Sequence, residues 1–459
     1  MTHWNYWRND ERRGTNGTIA NCSFGEHGQR LFTAILCLPL FCLLTYGFST
    51  SGGELRAGLA RVDITPERPV TMAGYESRKD LSQGVHDPLS ARAVAFEKDG
   101  DKLVLVSTDI LGFYGGTADR FRQAILDGCG LKPSELFLCA IHTHSAPTMT
   151  LDPARGHSNN VQYATILQSK LVRLTREAFA ELQPVRLGFG AGSSPVGVNR
   201  REVVQDADGT QKVVLGRNPS KLTDREVQVL KLVRPGADKL AGVLFAYATH
   251  STSLGPRNYL ISGDIHGLAE QLLERYFGAD VVAPGFAGAS GNLDPWVRVL
   301  PDFRTNNGWM PEPVLMGTML GEEVARVADG IRLSTNQAGI KTALKVVELP
   351  AKARGTSTPP TNATSAIVIS AACLGDIAFV GWGGEVFNEI GQSVKTASPF
   401  RRTFIFTHCN GTAGYVPTHD SYPEGGYEVQ SSSFAPGAGE QLAEETLRLL
   451  RNLKEFQPR

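Results

Sequence analysis

The sequence predicts an α/β protein in which a mixed β-sheet core is surrounded by helices. Apolar strand-like runs recur along residues 54–459, and helical patterns lie between them. The 49 glycines and 25 prolines indicate many turns and loops, which suit alternating strands and helices better than a helical bundle. The 46 basic and 46 acidic residues balance, so we expect no nucleic-acid partner, because neutralising phosphates needs a basic excess.

The predicted elements come from hydrophobic periodicity. Five apolar runs are predicted to be strands: Lys102–Ser107, Glu135–Ile141, Gly242–Tyr247, Ile377–Val380 and Thr403–Phe406. Five segments are predicted to be helices: Thr117–Leu126, Tyr163–Leu182, Gly267–Tyr276, Met316–Val327 and Gly439–Leu453. No composition shift divides residues 54–459, so we expect one domain there, with a surface loop at Pro350–Ala363 and a length that also allows two lobes.

The amino-terminal region differs from the rest of the chain. Residues 1–30 are polar and lack apolar periodicity, whereas residues 31–48 form an uncharged apolar run followed by small residues. The run has the length of a signal-peptide core or a short membrane anchor. Either interpretation places residues 54–459 outside the cytoplasm, secreted or periplasmic after cleavage, or associated with the membrane through residues 31–48.

The seven cysteines show no CxxC motif and no tight spacing among those beyond residue 48. Neither a cysteine zinc site nor a disulfide framework is therefore expected. Cys139 and Cys373 lie inside apolar strand-like runs, and we interpret them as small buried hydrophobic residues.

The motif that points most strongly to a functional site is AIHTHSAP at residues 140–147. His142 and His144 directly follow a predicted strand, and in extended backbone residues two apart point to the same face. Two imidazoles on one face can reach one pocket, and imidazole is a common zinc ligand. By itself the HxH pair is only moderately specific, since a structural or surface role accounts for it equally well.

Three further polar residues follow the ends of predicted strands: His250, Glu385 and Tyr415. Ligand sites in α/β folds gather outside strand ends. Two imidazoles, a carboxylate and a phenol oxygen can form a four-coordinate zinc site. Each residue also has an ordinary interpretation, because Glu385 suits the first turn of a helix and Tyr415 suits a half-buried aromatic position.

The chain resembles the catalytic amino-terminal domain of the neutral/alkaline non-lysosomal ceramidases over nearly all of residues 57–430. The segments that carry the resemblance are AGLARVDITP (57–66), GVHDPLSARA (84–93), HTHS (142–145), VNRR (198–201), His250, ISGD (261–264), ASGNLDP (289–295), Gly384–Glu385 and YVPTHDSYPEGGYE (415–428). The resemblance implies a fold like that catalytic domain and a zinc ion that activates water and polarises the carbonyl of a scissile amide.

The resemblance also implies roles for individual residues. The implied zinc ligands are His142, His250, Glu385 and Tyr415. The implied catalytic residues are His144, Arg200, Glu385 and Tyr427, with His144 or Arg200 stabilising the oxyanion and Glu385 or a nearby imidazole passing a proton to the amine. Asn199, Asp264 and Asp294 are expected to line or support the substrate pocket, although Asp264 also suits a helix start.

Two departures from the family pattern bear on the substrate. Asp294 stands where the family carries a pocket hydroxyl, and a mismatched buried polar group costs about 1–3 kcal/mol. We also expect no counterpart of the family's C-terminal immunoglobulin-like domain after Gly439–Leu453.

The sequence is therefore compatible with several functions. The first hypothesis is a zinc-dependent amidohydrolase acting on ceramide or a related N-acyl compound. Asp294 keeps open an ester, a lactone or an amino-sugar amide as substrate. A non-catalytic surface binding protein is disfavoured because all four implied ligands are present. A TIM-barrel amidohydrolase is disfavoured because much of the fold precedes its HxH pair. No pattern specifies an oligomeric state.

Overall fold

Three β-sheets, each covered by a pair of helices, surround a shared apolar core. The computed structural model describes residues 53–236, 238–296, 311–333, 338–352 and 363–455. The strands are β1 Arg56–Asp63, β2 Gly84–Val85, β3 Ser90–Lys98, β4 Asp101–Thr108, β5 Leu136–Ala140, β6 Gln183–Pro184, β7 Arg186–Ser193, β8 Gly197–Asn199, β9 Arg201–Gln205, β10 Gln211–Leu215, β11 Glu226–Arg234, β12 Lys239–Tyr247, β13 Leu260–Ile261, β14 Gly285–Ala287, β15 Leu293–Pro295, β16 Ile340–Pro350, β17 Thr364–Leu374, β18 Ile377–Trp382, β19 Glu385–Val386, β20 Arg402–Phe406 and β21 Tyr415–Val416. The α-helices are α1 Thr117–Cys129, α2 Ser158–Ala180, α3 Asp264–Phe277, α4 Pro311–Gly330, α5 Asn388–Ala397, α6 Ser421–Glu424, α7 Tyr427–Ser431 and α8 Ala438–Glu455.

The five predicted strands and five predicted helices are all present. The largest differences are five residues each: α4 begins at Pro311 rather than Met316, and α2 begins at Ser158 rather than Tyr163. Its first turn is polar and is capped by the His157 side chain, which accepts a hydrogen bond from the Asn159 amide at 3.2 Å. A polar first turn carries no apolar periodicity, so hydrophobic periodicity alone predicts a start for α2 that is too far along the chain.

Some expectations fall on parts of the chain that the structure does not describe. The polar segment 1–30, the apolar run 31–48 and most of the loop Pro350–Ala363 lie outside the described residues. Among the helices that are described, none combines the length and apolar character needed to cross a membrane.

The three main sheets have related designs. Their strand orders are β5-β4-β3-β1-β6, β14-β12-β11-β7 and β16-β17-β18-β20. Most neighbours are antiparallel, but each sheet contains one parallel pair: β4 with β5, β12 with β14, and β18 with β20. The sheets are therefore mixed, as the sequence predicts.

Side chains alternate between the two faces of each sheet, which separates an inner core from three outer ones. On β4, Leu103 and Leu105 face the shared core, whereas Val104 and Val106 pack towards helices. The shared core is rich in aromatic rings: Phe96, Phe137, Phe286, Phe379, Phe404 and Phe406. Helices α1 and α2 cover the first sheet, α3 and α4 the second, and α5 and α8 the third.

A buried charge cluster joins the first sheet to α3. The Arg92 side chain on β3 donates to Glu270 at 2.5 Å and to Glu274 at 2.8 Å, and all three are almost completely buried. Asp109 lies 3.7 Å from the same guanidinium. Removing one partner would leave an uncompensated buried charge, at a cost of about 3–5 kcal/mol. The cluster therefore fixes how α3 sits on the first sheet.

Asn410 joins the segment after β20 to the edge of the first sheet. Its side-chain oxygen accepts from the Leu138 amide at 3.0 Å, and its amide group donates to the Leu136 carbonyl at 2.6 Å and to the Ser370 hydroxyl at 2.8 Å. The side chain thus replaces a missing neighbouring strand for β5.

We expect Asn410→Ala to lower the free energy of unfolding by about 2–4 kcal/mol, because it leaves buried backbone groups of β5 without partners. Urea denaturation would measure the change. The control is Asn159→Ala, which removes one exposed hydrogen bond, to the Pro69 carbonyl, and should cost less than about 1 kcal/mol. Equal losses for the two variants would contradict the role given to Asn410.

Candidate metal centre

Polar side chains from all three sheets meet where the central strands end. His142 follows β5, His250 follows β12, and Glu385 begins the short strand β19 after β18. The Glu385 Oε2 atom lies 3.5 Å from His142 Nε2 and 3.4 Å from His250 Nε2. An isolated bridge between Thr143 and Ser251 holds the two histidine segments side by side. The structure therefore brings together three of the four predicted metal ligands.

The two imidazoles are oriented by backbone carbonyl groups. His142 Nδ1 lies 2.7 Å from the Leu111 oxygen, and His250 Nδ1 lies 2.8 Å from the Ser290 oxygen. A carbonyl oxygen only accepts, so Nδ1 carries a proton in both rings, and Nε2 is the atom of each ring that can bind a metal ion. Metal-binding histidines are typically held in this way.

The unsatisfied atoms at the centre fit a metal ion. His250 Nε2 and Glu385 Oε2 are buried without a hydrogen-bond partner. The ligand atoms of His142, His144 and His250 lie within 4.8 Å of one another. Buried polar atoms normally have partners, and imidazole nitrogen together with carboxylate oxygen is a donor set that zinc accepts. The chemistry of the site therefore suits a divalent metal ion.

Burial and neighbouring charges oppose each other in setting the pKa of Glu385, but at His250 and His144 both lower the pKa. Burial alone would raise the pKa of Glu385, but His142 and His250 beside it lower that pKa well below the usual range. Burial, with Arg200 as the next cause, lowers the pKa of His250. Burial and the neighbouring histidines lower the pKa of His144 well below its usual range. The Glu385 carboxylate is therefore favoured in its ionised form, and the imidazoles of His144 and His250 in their neutral form, as metal binding needs.

Tyr415 lies next to Glu385 because β21 pairs with β19 in register. Its hydroxyl accepts a hydrogen bond from Arg200 at 3.1 Å, and its charge interaction with Glu385 affects its titration. Burial raises the pKa of Tyr415 well above its usual value, and the charge of Glu385 adds to this effect. The fourth predicted ligand thus reaches the centre through its oxygen atom.

His144 lies on the same side of the centre as predicted. Its Nε2 is 3.3 Å from His142 Nε2, and its Nδ1 is buried without a partner. Gly74 has a φ of 98°, and a Cβ atom there would lie 2.4 Å from His144 Nδ1. Glycine is therefore required at position 74 for this approach of the backbone to the ring.

The Arg200 guanidinium is committed to protein partners. It donates to Glu428 at 2.8 Å, to Asp294 at 3.2 Å and to the Gly291 carbonyl at 2.9 Å, in addition to Tyr415. Burial would lower the pKa of Arg200, but these neighbours raise it well above the usual value. Its geometry suits positioning of the Tyr415 hydroxyl rather than direct contact with an oxyanion.

Asp294 is fully buried, and arginine residues balance its charge. One carboxylate oxygen accepts from Arg200 and the other from Arg217, both at 3.2 Å. Thr252 also donates to it at 3.4 Å. Asp294, the residue that departs from the pattern expected for the family, is therefore paired with Arg217 and is not an isolated buried charge.

Tyr427 lies at the outer edge of the site. Its side chain is 48% exposed, and its ring packs edge-on against Tyr415 with 5.6 Å between centroids. The next residue, Glu428, is buried and bonds both Arg200 and Arg201. Tyr427 thus combines a fixed backbone with an accessible ring, as a residue that contacts substrate would.

Two of the predicted pocket residues contact other parts of the chain. Asn199 donates to the Leu222 carbonyl and accepts from the Arg201 amide, each at 3.0 Å, so its side chain shapes the loop behind Arg200. Asp264 begins α3, where it accepts from the Ser253 hydroxyl at 2.5 Å, and burial raises its pKa to about 6. In the described ranges no hydrogen bond joins either side chain to Glu385.

The structure adds two residues that the sequence analysis missed. His408 stacks on His142 with 3.8 Å between ring centroids, and its Nε2 is buried without a partner. Tyr114 directs its hydroxyl to Glu385 Oε1 at 3.4 Å. His408 follows the predicted strand Thr403–Phe406, so the strand-end rule that selected His142 and His250 would also have selected it. Tyr114 lies in a loop and carries no comparable signal.

Fold and side chains together define an α/β domain with a buried candidate metal centre at its strand ends. Residues 55–292 match the family described as neutral/alkaline non-lysosomal ceramidase, N-terminal. The chain belongs to this family, which confirms the resemblance found in the sequence.

Similar proteins agree with this assignment. The neutral ceramidase of Pseudomonas aeruginosa is 29% identical over 296 residues, and that of Mycobacterium tuberculosis is 27% identical over 264 residues. These alignments cover 59% and 52% of this chain but only 41% and 39% of the relatives, so the chain matches less than half of their length. The crystal structure of the Pseudomonas aeruginosa enzyme superposes with a TM-score of 0.73 at 20% identity, covering 89% of this chain and 75% of that one, which confirms the mixed α/β fold.

We predict that His250→Ala lowers bound metal from about one ion per chain to nearly none, because it removes a buried ligand nitrogen. Metal analysis after desalting would measure this. His419→Ala, which changes a mostly exposed imidazole, should keep the metal. Comparing Tyr415→Phe with His144→Ala would then identify the fourth ligand, since only loss of the true ligand should weaken metal affinity strongly. Full metal retention in His250→Ala would contradict the site.

Proposed function

We propose that this chain is a zinc-dependent hydrolase that cleaves the amide bond of ceramide or a related N-acyl lipid. The observation that carries the proposal is the convergence of His142, His250 and Glu385. Two of the inward atoms, His250 Nε2 and Glu385 Oε2, are buried without a hydrogen-bond partner. Family membership supports the substrate class, because the curated relatives are named neutral ceramidases. A further structure that superposes with a TM-score of 0.70 at 19% identity is described as a ceramidase complexed with C2.

The metal and the protein would contribute different parts of the chemistry. A zinc ion held by His142, His250 and Glu385, with Tyr415 as fourth ligand, would supply Lewis-acid polarisation of the carbonyl and a lowered pKa for water. Arg200 holds the Tyr415 hydroxyl in place through its 3.1 Å hydrogen bond. The protein therefore keeps the ligands fixed before substrate arrives, which is the arrangement that favours electrostatic stabilisation of a transition state.

His144 and Glu385 are the groups placed to act on substrate. His144 lies beside the inward nitrogen of His142, where a neutral imidazole can donate a hydrogen bond to the developing oxyanion. Glu385 keeps its Oε1 atom towards Tyr114, and either Glu385 or His144 would take a proton from the attacking water and pass it to the departing amine. Hydrolysis of an amide requires such a proton, because an amine is a poor leaving group when unprotonated.

The paired charge of Asp294 favours ceramide as the first substrate to test. Arg200 and Arg217 each contact one of its carboxylate oxygens, so the carboxylate needs no partner from the substrate. An ester, a lactone or an amino-sugar amide would use the same metal chemistry and is the alternative outcome of the substrate test. We also propose that residues 54–459 act outside the cytoplasm, on the basis of the apolar run 31–48.

The test of the proposed activity is fatty-acid release from a short-acyl ceramide by the purified full chain. We expect release that a zinc chelator abolishes and added zinc restores, and that His250→Ala lowers by at least about 10³-fold. Release that survives both the chelator and His250→Ala would overturn the metal mechanism. No release from protein shown to contain metal would overturn ceramide as substrate and direct the search to the smaller amides and esters.

Tyr427→Phe should raise KM about fivefold and leave metal content unchanged, since the hydroxyl is expected to contribute one hydrogen bond of about 1 kcal/mol to substrate. Steady-state kinetics with parallel metal analysis would measure both. The comparison variant is Tyr276→Phe, an exposed tyrosine on α3 far from the strand ends, which should leave KM unchanged. Loss of metal in Tyr427→Phe would contradict its assignment to the substrate.

A further inference from the structure

Two cysteines distant in sequence face each other beside the metal centre. Cys139 on β5 and Cys409, three residues after β20, form an isolated antiparallel bridge between the first and third sheets. The flanking hydrogen bonds run from the Ala140 amide to the His408 carbonyl at 3.3 Å and from the Asn410 amide to the Leu138 carbonyl at 2.9 Å. This pattern makes the cysteines a non-hydrogen-bonded pair, the kind in which side chains of opposite residues are closest.

That pairing meets the geometric requirement for a disulfide. Opposite residues of a non-hydrogen-bonded pair have Cα atoms about 4.5 Å apart and side chains on the same face. Disulfides span Cα separations of about 4.4–6.8 Å. The structure holds both residues as thiols, and both side chains belong to the shared apolar core. A pair of this kind therefore has the Cα separation that a disulfide needs.

The surrounding packing holds the sulfur atoms in this position. Cys139 is 1% exposed and Cys409 is 0% exposed. A Cβ atom at Gly381 on β18 would lie 2.4 Å from the Cys409 Sγ and 3.0 Å from its Cβ, so the missing side chain of Gly381 provides the space that the thiol occupies. Asn410, directly after Cys409, is tied to β5 by side-chain hydrogen bonds to the backbone of Leu136 and Leu138.

We propose that Cys139 and Cys409 form a disulfide in the mature protein, a cross-link between the strand that leads to His142 and the segment that leads to Tyr415. The pairing is inferred from the geometry and does not depend on the proposed hydrolase activity. It does rest on the proposed location outside the cytoplasm, which supplies an oxidising compartment. His408, the neighbour of Cys409, stacks on His142, so the bond would join the segment that carries His408 to the strand that leads to His142.

The chemistry is a two-electron oxidation by a disulfide of the compartment, either a small-molecule disulfide or a protein one. One cysteine thiolate attacks the oxidant, forms a mixed disulfide and releases one thiol. The second thiolate attacks the mixed disulfide and releases the second thiol, so two electrons reduce the oxidant and each cysteine gives up one proton. Because both side chains are buried in the folded chain, the step takes place before the core closes.

The bond would close a loop from residue 139 to residue 409. A loop of that length removes much conformational freedom from the unfolded chain, so the oxidised protein should be the more stable form. We expect reduction to lower Tm by about 5 °C. Reduction should lower the stability of the fold and loosen the position of His142. Cys129, which is only partly buried on α1, and Cys373 on β17 are expected to stay as thiols.

Peptide mapping of the full chain tests the proposal. The protein is produced through an oxidising compartment, alkylated under denaturing conditions without reduction, digested and analysed by mass spectrometry. We expect a linked peptide pair containing Cys139 and Cys409 that separates on reduction, with Cys129 and Cys373 alkylated throughout. Recovery of Cys139 and Cys409 as alkylated thiols would overturn the proposal whether or not the protein hydrolyses ceramide.

Melting curves give a second measurement with a matched control. Wild type and Cys129→Ala should both lose about 5 °C on reduction, whereas Cys409→Ala should melt at the same temperature with and without reductant. An equal loss in Cys409→Ala would show that the change comes from another bond and would contradict the assignment. If Cys409→Ala does not fold, the peptide map alone decides the question.

Discussion

The requirement that three sheets bury their inner faces against one aromatic core determines where every residue of the centre lies. Phe406 stacks on Phe286 with 4.3 Å between centroids and meets Phe137 edge-on at 6.5 Å, so strands of all three sheets end near one point. Each sheet contributes a parallel pair, and the loops after these strands carry the polar side chains. Changing the packing of the shared core would therefore move the ligands relative to one another without altering any of them.

Buried ion pairs of Glu428 fix the segment 415–428, which carries Tyr415 and Tyr427. Glu428 bonds Arg200 at 2.8 Å and Arg201 at 2.9 Å, and Arg201 also holds the Gly425 carbonyl at 2.8 Å. Buried ion pairs add little net stability, because desolvation opposes the Coulomb attraction, but a broken pair is costly. The arrangement therefore selects one conformation of residues 415–428. Tyr415 reaches Glu385 in that conformation.

What the sequence predicted depended on short-range signals, and what it missed depended on contacts between distant residues. Periodicity within β5 or α3 is local, so the elements were identified correctly to within a few residues. The strand-end rule and the order of short motifs placed His142, His250 and Glu385 in one site. No local pattern pairs Asp294 with Arg217 or stacks His408 on His142, because these contacts exist only after the sheets pack. The same reason explains why two cysteines with unremarkable spacing meet across a bridge.

A metal ion bound at the candidate centre would link metal supply to the amount of folded protein. His142 has a φ of 60° and His408 a φ of 53°, a conformation that costs a non-glycine residue about 1–3 kcal/mol. The His408 Nε2 and Glu385 Oε2 atoms are also buried without a hydrogen-bond partner. A bound ion adds RT ln(1 + [M]/Kd) to stability by mass action. In a metal-poor environment the same chain would spend more time unfolded and be cleared faster by proteases, so its abundance would report the metal available to it.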